Sequence, residues 1–283
     1  MRWASSLLVC LSLLAMLALP AAGQDKKAKD PKFKPPAPKI ITPPAPSFKH
    51  LDGQMLVFAV NGVNGSTVLS DNLLDVNSDL HLGLRIQMIP WCRHNAFFAD
   101  LVDHEAQIMA AGRIAESVKA IRKDAPKANI IFIGHSAGAR VVLAAAEMLP
   151  AKSVDRIFVL APAVSYCYDL TGALKAARHG IDNFYSSEDS ILDRAVDHKG
   201  TADGLRVHAA GRVGFHPTST DKKDLELYRN LRQIRWTEKY CGSGGHFTWV
   251  IQHNLKRTVV PQFFTAPCDA PAVKQTKEPP IKN

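Results

Sequence analysis

Residues 129–149 read NIIFIGHSAGARVVLAAAEML, and this stretch decides how the chain folds. Residues 129–133 are a short apolar run, rich in β-branched side chains and of strand length. Residues 137–149 are rich in helix formers and close at Pro150. Between them lies Gly134-His135-Ser136-Ala137-Gly138, which must turn the chain sharply from strand to helix. A serine on such a turn lifts its hydroxyl above the sheet edge. The glycines let the backbone bend and let the helix approach the strand. The helix N-terminus places N–H groups and the positive end of its dipole beside that hydroxyl, which favours a developing oxyanion.

Working outward, the same alternation continues. Residues 55–60 (MLVFAV) form a buried-strand run that ends in the turn-rich Asn61-Gly62-Val63-Asn64-Gly65. Residues 84–89 are a second strand, stopped by Pro90. From 101 to 123, apolar residues at 101, 108, 109, 114, 118 and 121 keep helical spacing. Residues 156–160 are a fourth strand, followed by a short helix near 170–178 and a fifth strand around Phe184-Tyr185. Both 205–209 and 233–237 read as strands with nothing to rank them, and 247–255 reads as helix. Strands alternating with helices predict an α/β fold: a mainly parallel twisted sheet with helices on both faces and no large lid domain. Ligands of such sheets sit at the carboxyl ends of the strands.

GHSAG in this setting resembles the α/β-hydrolase superfamily, and the likeness extends over about 51–264. In that family the acid follows the nucleophile, after a later strand, and the histidine comes last. The resemblance implies Ser136 as nucleophile and Asp189, in FYSSEDSIL (184–192), as acid. Glu188 and Asp169 are alternative acids, and a helix N-cap is the plainer role for Asp189. It implies His246, in CGSGGHFTW (241–249), as base, with His216 and His253 as rivals. His135 is expected to pack against the site or tune it. The oxyanion donors implied are the N–H groups of Ala137 and Val63, with Asn64 as the alternative to Val63. Asn61-Gly62 stands where many relatives carry His-Gly, and Asn61 can equally serve local turn hydrogen bonds.

The ends of the chain differ from its middle. Arg2, an apolar run over 7–19 and the small residues Pro20-Ala21-Ala22-Gly23 make residues 1–23 a signal peptide, the run being shorter than the roughly 20 residues of a membrane span. Residues 24–47, rich in Lys and Pro, are expected to be a disordered tether. Residues 48–268 form the hydrolase domain and 269–283 a flexible tail. The chain carries +9, but the ends hold most of it. Residues 24–39 have six Lys against two Asp, 270–283 three Lys against one Glu, and Arg2 adds one, which leaves +2 for the rest. The basic balance therefore points to tails that contact an anionic cell surface and excludes a nucleic-acid groove. Four cysteines outlast signal removal: Cys92, Cys167, Cys241 and Cys268. They permit two disulfides in three pairings, with free thiols as the alternative; without a CxxC pair, no structural zinc is expected.

Together these readings predict a secreted or cell-envelope serine hydrolase that needs no cofactor or metal. It would cleave a small-molecule or polymer ester through a Ser-His-Asp acyl-enzyme mechanism. The short connection after the fourth strand favours a carboxylesterase or polysaccharide deacylase over a lidded lipase, although acyltransferases and peptidases use the same three residues. Two rivals stand beside this. One is a non-catalytic cell-surface binding protein that keeps the fold; the other is a structural protein whose basic tails bind envelope polymers.

Overall fold

The computed structural model describes residues 47–217 and 219–265. The signal segment, the tether up to residue 46, Cys268 and the tail lie outside the described residues. Six strands make one sheet: β1 Met55–Val60, β2 Arg85–Met88, β3 Asn129–His135, β4 Arg156–Leu160, β5 Ile181–Tyr185 and β6 Leu231–Arg235. They pair in the order β2-β1-β3-β4-β5-β6, and every pair is parallel. The described helices of the domain body are α1 Val68–Asp79, α2 Phe97–Leu101, α3 His104–Asp124, α4 Gly138–Glu147, α5 Thr171–Ala176, α6 Ser190–Lys199, α7 Ala210–Val213 and α8 Lys222–Leu227.

The central strands are mostly apolar because both of their faces are covered, with buried Arg156 of β4 and Asp182 of β5 paired to each other. Leu56, Phe58 and Val60 of β1 join Ile130 and Phe132 of β3 in a core closed by α3 and α4. The alternate residues Val57, Ala59, Ile131 and Ile133 face a second core, with Leu69, Leu73 and Val76 of α1 and with Trp249, Val250 and Leu255. The edge strand β2 is largely exposed.

Several expectations change. Helix α1 has no counterpart among the expected elements, because its buried Leu69, Leu73 and Val76 are diluted by Asp71, Asn72, Asp75 and Asn77. Of the two late strand candidates, the sheet takes the one read at 233–237, shifted to 231–235, where Leu231 pairs with Ile181 and Arg235 with Tyr185. The 205–209 stretch contributes only an isolated bridge from Ala209 to Ser165. The helix read over 247–255 is broken: 3-10 turns at Thr248–Val250 and Val260–Phe263 flank one α turn, Gln252–Asn254, and a π segment, Leu255–Val259. Extended Ile251, with ψ 144°, interrupts it. No disulfide joins Cys92, Cys167 and Cys241, which are free thiols on three separate loops. The two-disulfide option is therefore not realised among the described residues.

The strand order reverses between β1 and its neighbours: the chain crosses from β1 to β2 on one side, then to β3 on the other. Loops leaving β1 and β3 consequently diverge and open a crevice above their carboxyl ends. The longest connection, 186–230 between β5 and β6, carries α6, α7 and α8. It lies back on the body, with the Ser186 N–H donating to the Gly211 carbonyl and the Gly211 N–H to that of Pro162.

Candidate active site

At the end of β3, Ser136 adopts φ +54°, a left-handed conformation costly for a residue with a Cβ. Three backbone hydrogen bonds hold it there: its N–H donates to the Leu160 carbonyl, and its own carbonyl accepts from Ala139 and Ala163. The flanking glycines are required by close approach. A Cβ on Gly134 would lie 2.7 Å from the Gly138 oxygen, and one on Gly138 would lie 2.4 Å from the oxygens of both Val60 and Asn61. The turn thus forms only where β1, β3 and α4 meet without side chains between them.

Asp189 follows β5 and is fully buried. Its two carboxylate oxygens have separate tasks. Oδ1 accepts the Leu192 N–H at 2.9 Å and caps α6, while Oδ2 lies 2.7 Å from His246 Nδ1. The helix cap and the contact with His246 therefore coexist on one side chain. Glu188 is exposed and accepts from Ser187 Oγ, and Asp169 is exposed and caps Thr171, so neither alternative acid reaches His246. His216 packs edge-on to Tyr166, and exposed His253 lies in the α turn after the site.

His246 is buried on the loop after β6. Gly242 and Gly244 both take positive φ, and a Cβ on Gly244 would meet the Trp236 ring at 2.7 Å. Glycine lets this loop fold tightly over β6 and bring His246 back towards the elbow. The loop is tied further by Asn254, whose side chain bridges the carbonyls of Cys241 and Thr248. No hydrogen bond joins Ser136 Oγ to His246 Nε2 among the described contacts, although both residues line one cleft. Such bonds are often loose before substrate binds.

His135 sits beneath this pair. Its Nε2 lies 3.2 Å from the His246 carbonyl oxygen, and its ring is 4.8 Å from that of His246 and 5.5 Å from that of Phe247. Its Nδ1 is buried without a partner. Burial first, and the nearness of His246 second, push its pKa from 6.5 down to about 3, so it stays neutral. A neutral ring with an unpartnered Nδ1 carries its proton on Nε2, which then donates to the His246 carbonyl.

Val63 and Ala137 are buried, and their N–H groups have no protein acceptor among the described residues. The Asn64 N–H donates to Asp100 Oδ2 at 3.0 Å, which removes it as a free donor. Asn61 serves α1: its amide donates to Ser70 Oγ and its oxygen accepts the Ser70 N–H. A Cβ on Gly62 would lie 3.1 Å from that of Ser136, so the β1 loop presses directly on Ser136. The cleft, about 320 Å³, is lined by Val63, Phe97, Ile191 and Phe247 besides Ser136 and His246. No charged side chain lines it. Phe97 and Ile191, at the starts of α2 and α6, were missed by sequence reasoning because nothing local marks them as cleft residues. Asp100 was missed for the same reason.

A family model described as the T6SS Tle3 phospholipase effector domain matches residues 87–187, about a third of the chain, from β2 through the elbow to β5. No curated protein matches the sequence. Among solved structures, the chain is similar to lipase B of Aspergillus fumigatus, at 15% identity and TM-score 0.49, with 80% of this chain and 56% of that one covered. It is similar to a predicted CIB-like hydrolase from Thermoplasma acidophilum, at 15% identity and TM-score 0.40, covering 75% and 85%. It is also similar to Est1E from Butyrivibrio proteoclasticus, at 12% identity and TM-score 0.41, covering 76% and 90%. By its six-stranded parallel sheet, its strand order and its strand-turn-helix elbow, the chain is an α/β hydrolase in fold.

Proposed function

We propose that the protein is an exported serine hydrolase that cleaves an ester-type bond through an acyl-enzyme. One observation carries the reading: His246, paired with buried Asp189 at 2.7 Å, shares a cleft with a serine held in a left-handed elbow. In this reading Asp189 fixes the proton of His246 on Nδ1, which leaves the Nε2 lone pair for the Ser136 hydroxyl. As His246 takes that proton, Ser136 Oγ bonds to the carbonyl carbon, and the carbonyl electron pair moves onto oxygen. The N–H groups of Ala137 and Val63 stabilise that oxyanion, a contribution of roughly 3–4 kcal/mol for each well-aimed donor. Collapse expels the alcohol, which takes the proton from His246. Water repeats the sequence and releases the acid. The apolar, uncharged lining suits a compact uncharged acyl group, and the residue 1–23 segment suits export to the cell envelope.

The test is labelling of the purified mature protein with a fluorophosphonate, the adduct being located by peptide mass spectrometry. A phosphonyl group on Ser136, with p-nitrophenyl ester turnover that falls about 10⁶-fold in Ser136→Ala, is the expected result. A folded but unlabelled protein moves the reading to a binding protein that keeps the fold. A second reading places the ester in a phospholipid. The partial match to a phospholipase model and the exposed Phe247 and Phe98, at or beside the cleft, favour it. Fatty-acid release from phosphatidylglycerol vesicles, compared with turnover of short p-nitrophenyl esters, separates the two.

A further inference from the structure

The peptide groups of the β1 loop are held from a single segment, 91–100. Trp91 Nε1 donates to the Asn61 carbonyl at 2.9 Å. Cys92 Sγ contacts the Gly62 carbonyl at 3.5 Å, and Asp100 accepts the Asn64 N–H. Asp100 is wholly buried and also accepts the N–H groups of His94 at 3.0 Å and Ala96 at 3.2 Å, so one carboxylate binds both loops together. A buried carboxylate costs several kcal/mol unless it is fully hydrogen-bonded, and three N–H donors meet that need here. The Val63 N–H, in the middle of the held stretch, is left without a protein acceptor among the described residues.

The planarity of the peptide gives this arrangement a direction. In a trans peptide the C=O and the following N–H point to opposite sides. The Gly62 carbonyl faces Cys92, which does not line the cleft, whereas Val63 does. The Val63 N–H is therefore turned away from Cys92. Burial first, and the Asp100 carboxylate among the other causes, push the Cys92 thiol up to about 11, so it remains an S–H able to donate to that carbonyl.

We propose that Asp100, with Cys92 beside it, is the positioning residue that aims the Val63 N–H as an oxyanion donor. Neither side chain touches substrate; both act through the backbone of residues 62–64. The inference rests on the serine-hydrolase reading, so wild-type labelling at Ser136 is checked first, and an unlabelled wild type overturns both. Asp100→Asn keeps the shape but turns its amide NH₂ either towards the N–H groups of Asn64 and Ala96 or towards that of His94.

With p-nitrophenyl butyrate, Asp100→Asn is expected to lower kcat about 10- to 100-fold while KM changes less than about twofold, the pattern of an interaction made only in the transition state. Affinity for benzeneboronic acid, whose tetrahedral adduct places an oxygen between the donors, falls by the same factor as kcat/KM. The acid limb of the pH–rate profile does not move. A purely structural role lowers the melting temperature and leaves the kcat of the folded fraction intact. A folded Asp100→Asn with kcat within about twofold of wild type, or with a displaced acid limb, overturns the proposal. If that variant does not fold, Cys92→Ala and Cys92→Ser decide: Ala is expected to lose several-fold in kcat and Ser, which restores a donor, to recover most of it. Equal kcat in both and in wild type overturns the proposal.

Discussion

Ser136 and Asp189 stand where a strand runs straight into a helix, whereas His246 and Val63 stand on loops without regular structure. The first two are fixed through backbone groups. Ser136 is pinned by the Leu160, Ala139 and Ala163 backbones, and Asp189 caps the helix that begins one residue later. The second two are fixed from afar. His246 is held by Asp189, by His135 through its carbonyl, and by a glycine loop lying on Trp236. Val63 is held by contacts from residues about thirty or more positions away. Half of the site is thus built by backbone geometry and half by side chains that reach across the fold. The two halves should fail differently.

The largest effect is expected where the halves join. Asp189→Asn retains an oxygen to cap Leu192, so the fold should survive with little loss, since Asn caps about as well as Asp. Opposite His246 Nδ1, however, an amide can present NH₂ and no longer fixes the proton there. A fall in kcat of about 10⁴-fold with an almost unchanged melting temperature is expected, measured by ester hydrolysis and thermal unfolding. Equal activity in Asp189→Asn and wild type would remove Asp189 from the mechanism.

Next comes a matched pair of glycines. A Cβ on Gly138 meets two backbone oxygens at 2.4 Å, and backbone in the middle of the sheet cannot give way. Gly138→Ala is expected to cost about 3 kcal/mol or more, or to prevent folding. A Cβ on Gly62 meets the Ser136 Cβ at 3.1 Å and His135 Nδ1 at 3.3 Å, contacts that loop movement can relieve. Gly62→Ala should cost about 1 kcal/mol of stability but lower kcat about tenfold, because what moves is the loop that carries the proposed donor Val63. Urea unfolding and ester kinetics on both variants check this. The comparison breaks if Gly62→Ala proves the less stable of the two.

The same division explains what was legible in the sequence. The elbow could be read because its strand, its glycines and its helix are contiguous, and Asp189 because a strand end and a helix start frame it. His246 was legible through the glycines that its loop needs. The Asp100 clasp, the walls at Phe97 and Ile191, and α1 were not. Their roles depend on partners distant in sequence, and α1 carries too many polar residues to show a clean apolar stripe. The strand at 231–235 could not be told from 205–209, because an edge strand is chosen by its pairing with β5 and not by its own composition.

The smallest effect tests the tie between the halves. His135 ends β3 yet grips the loop through the His246 carbonyl, and it is held neutral in the fold with a pKa near 3 against 6.5. As the pH falls below 6.5 the unfolded chain binds a proton at this position that the folded chain refuses. The contribution of His135 is therefore complete above pH 6.5 and is lost progressively as the pH falls, at up to about 1.4 kcal/mol per unit. Among the described residues, the titratable group facing it is His246, and no carboxylate touches it to reverse the sign. His135→Phe gives up one hydrogen bond, about 1 kcal/mol at pH 7, but removes the acid penalty. Urea midpoints at pH 7 and pH 5 should show the variant less stable at the higher pH and level with wild type, or ahead of it, at the lower. Parallel acid slopes in the two proteins would mean that His135 is not the neutral link that joins the elbow to the loop.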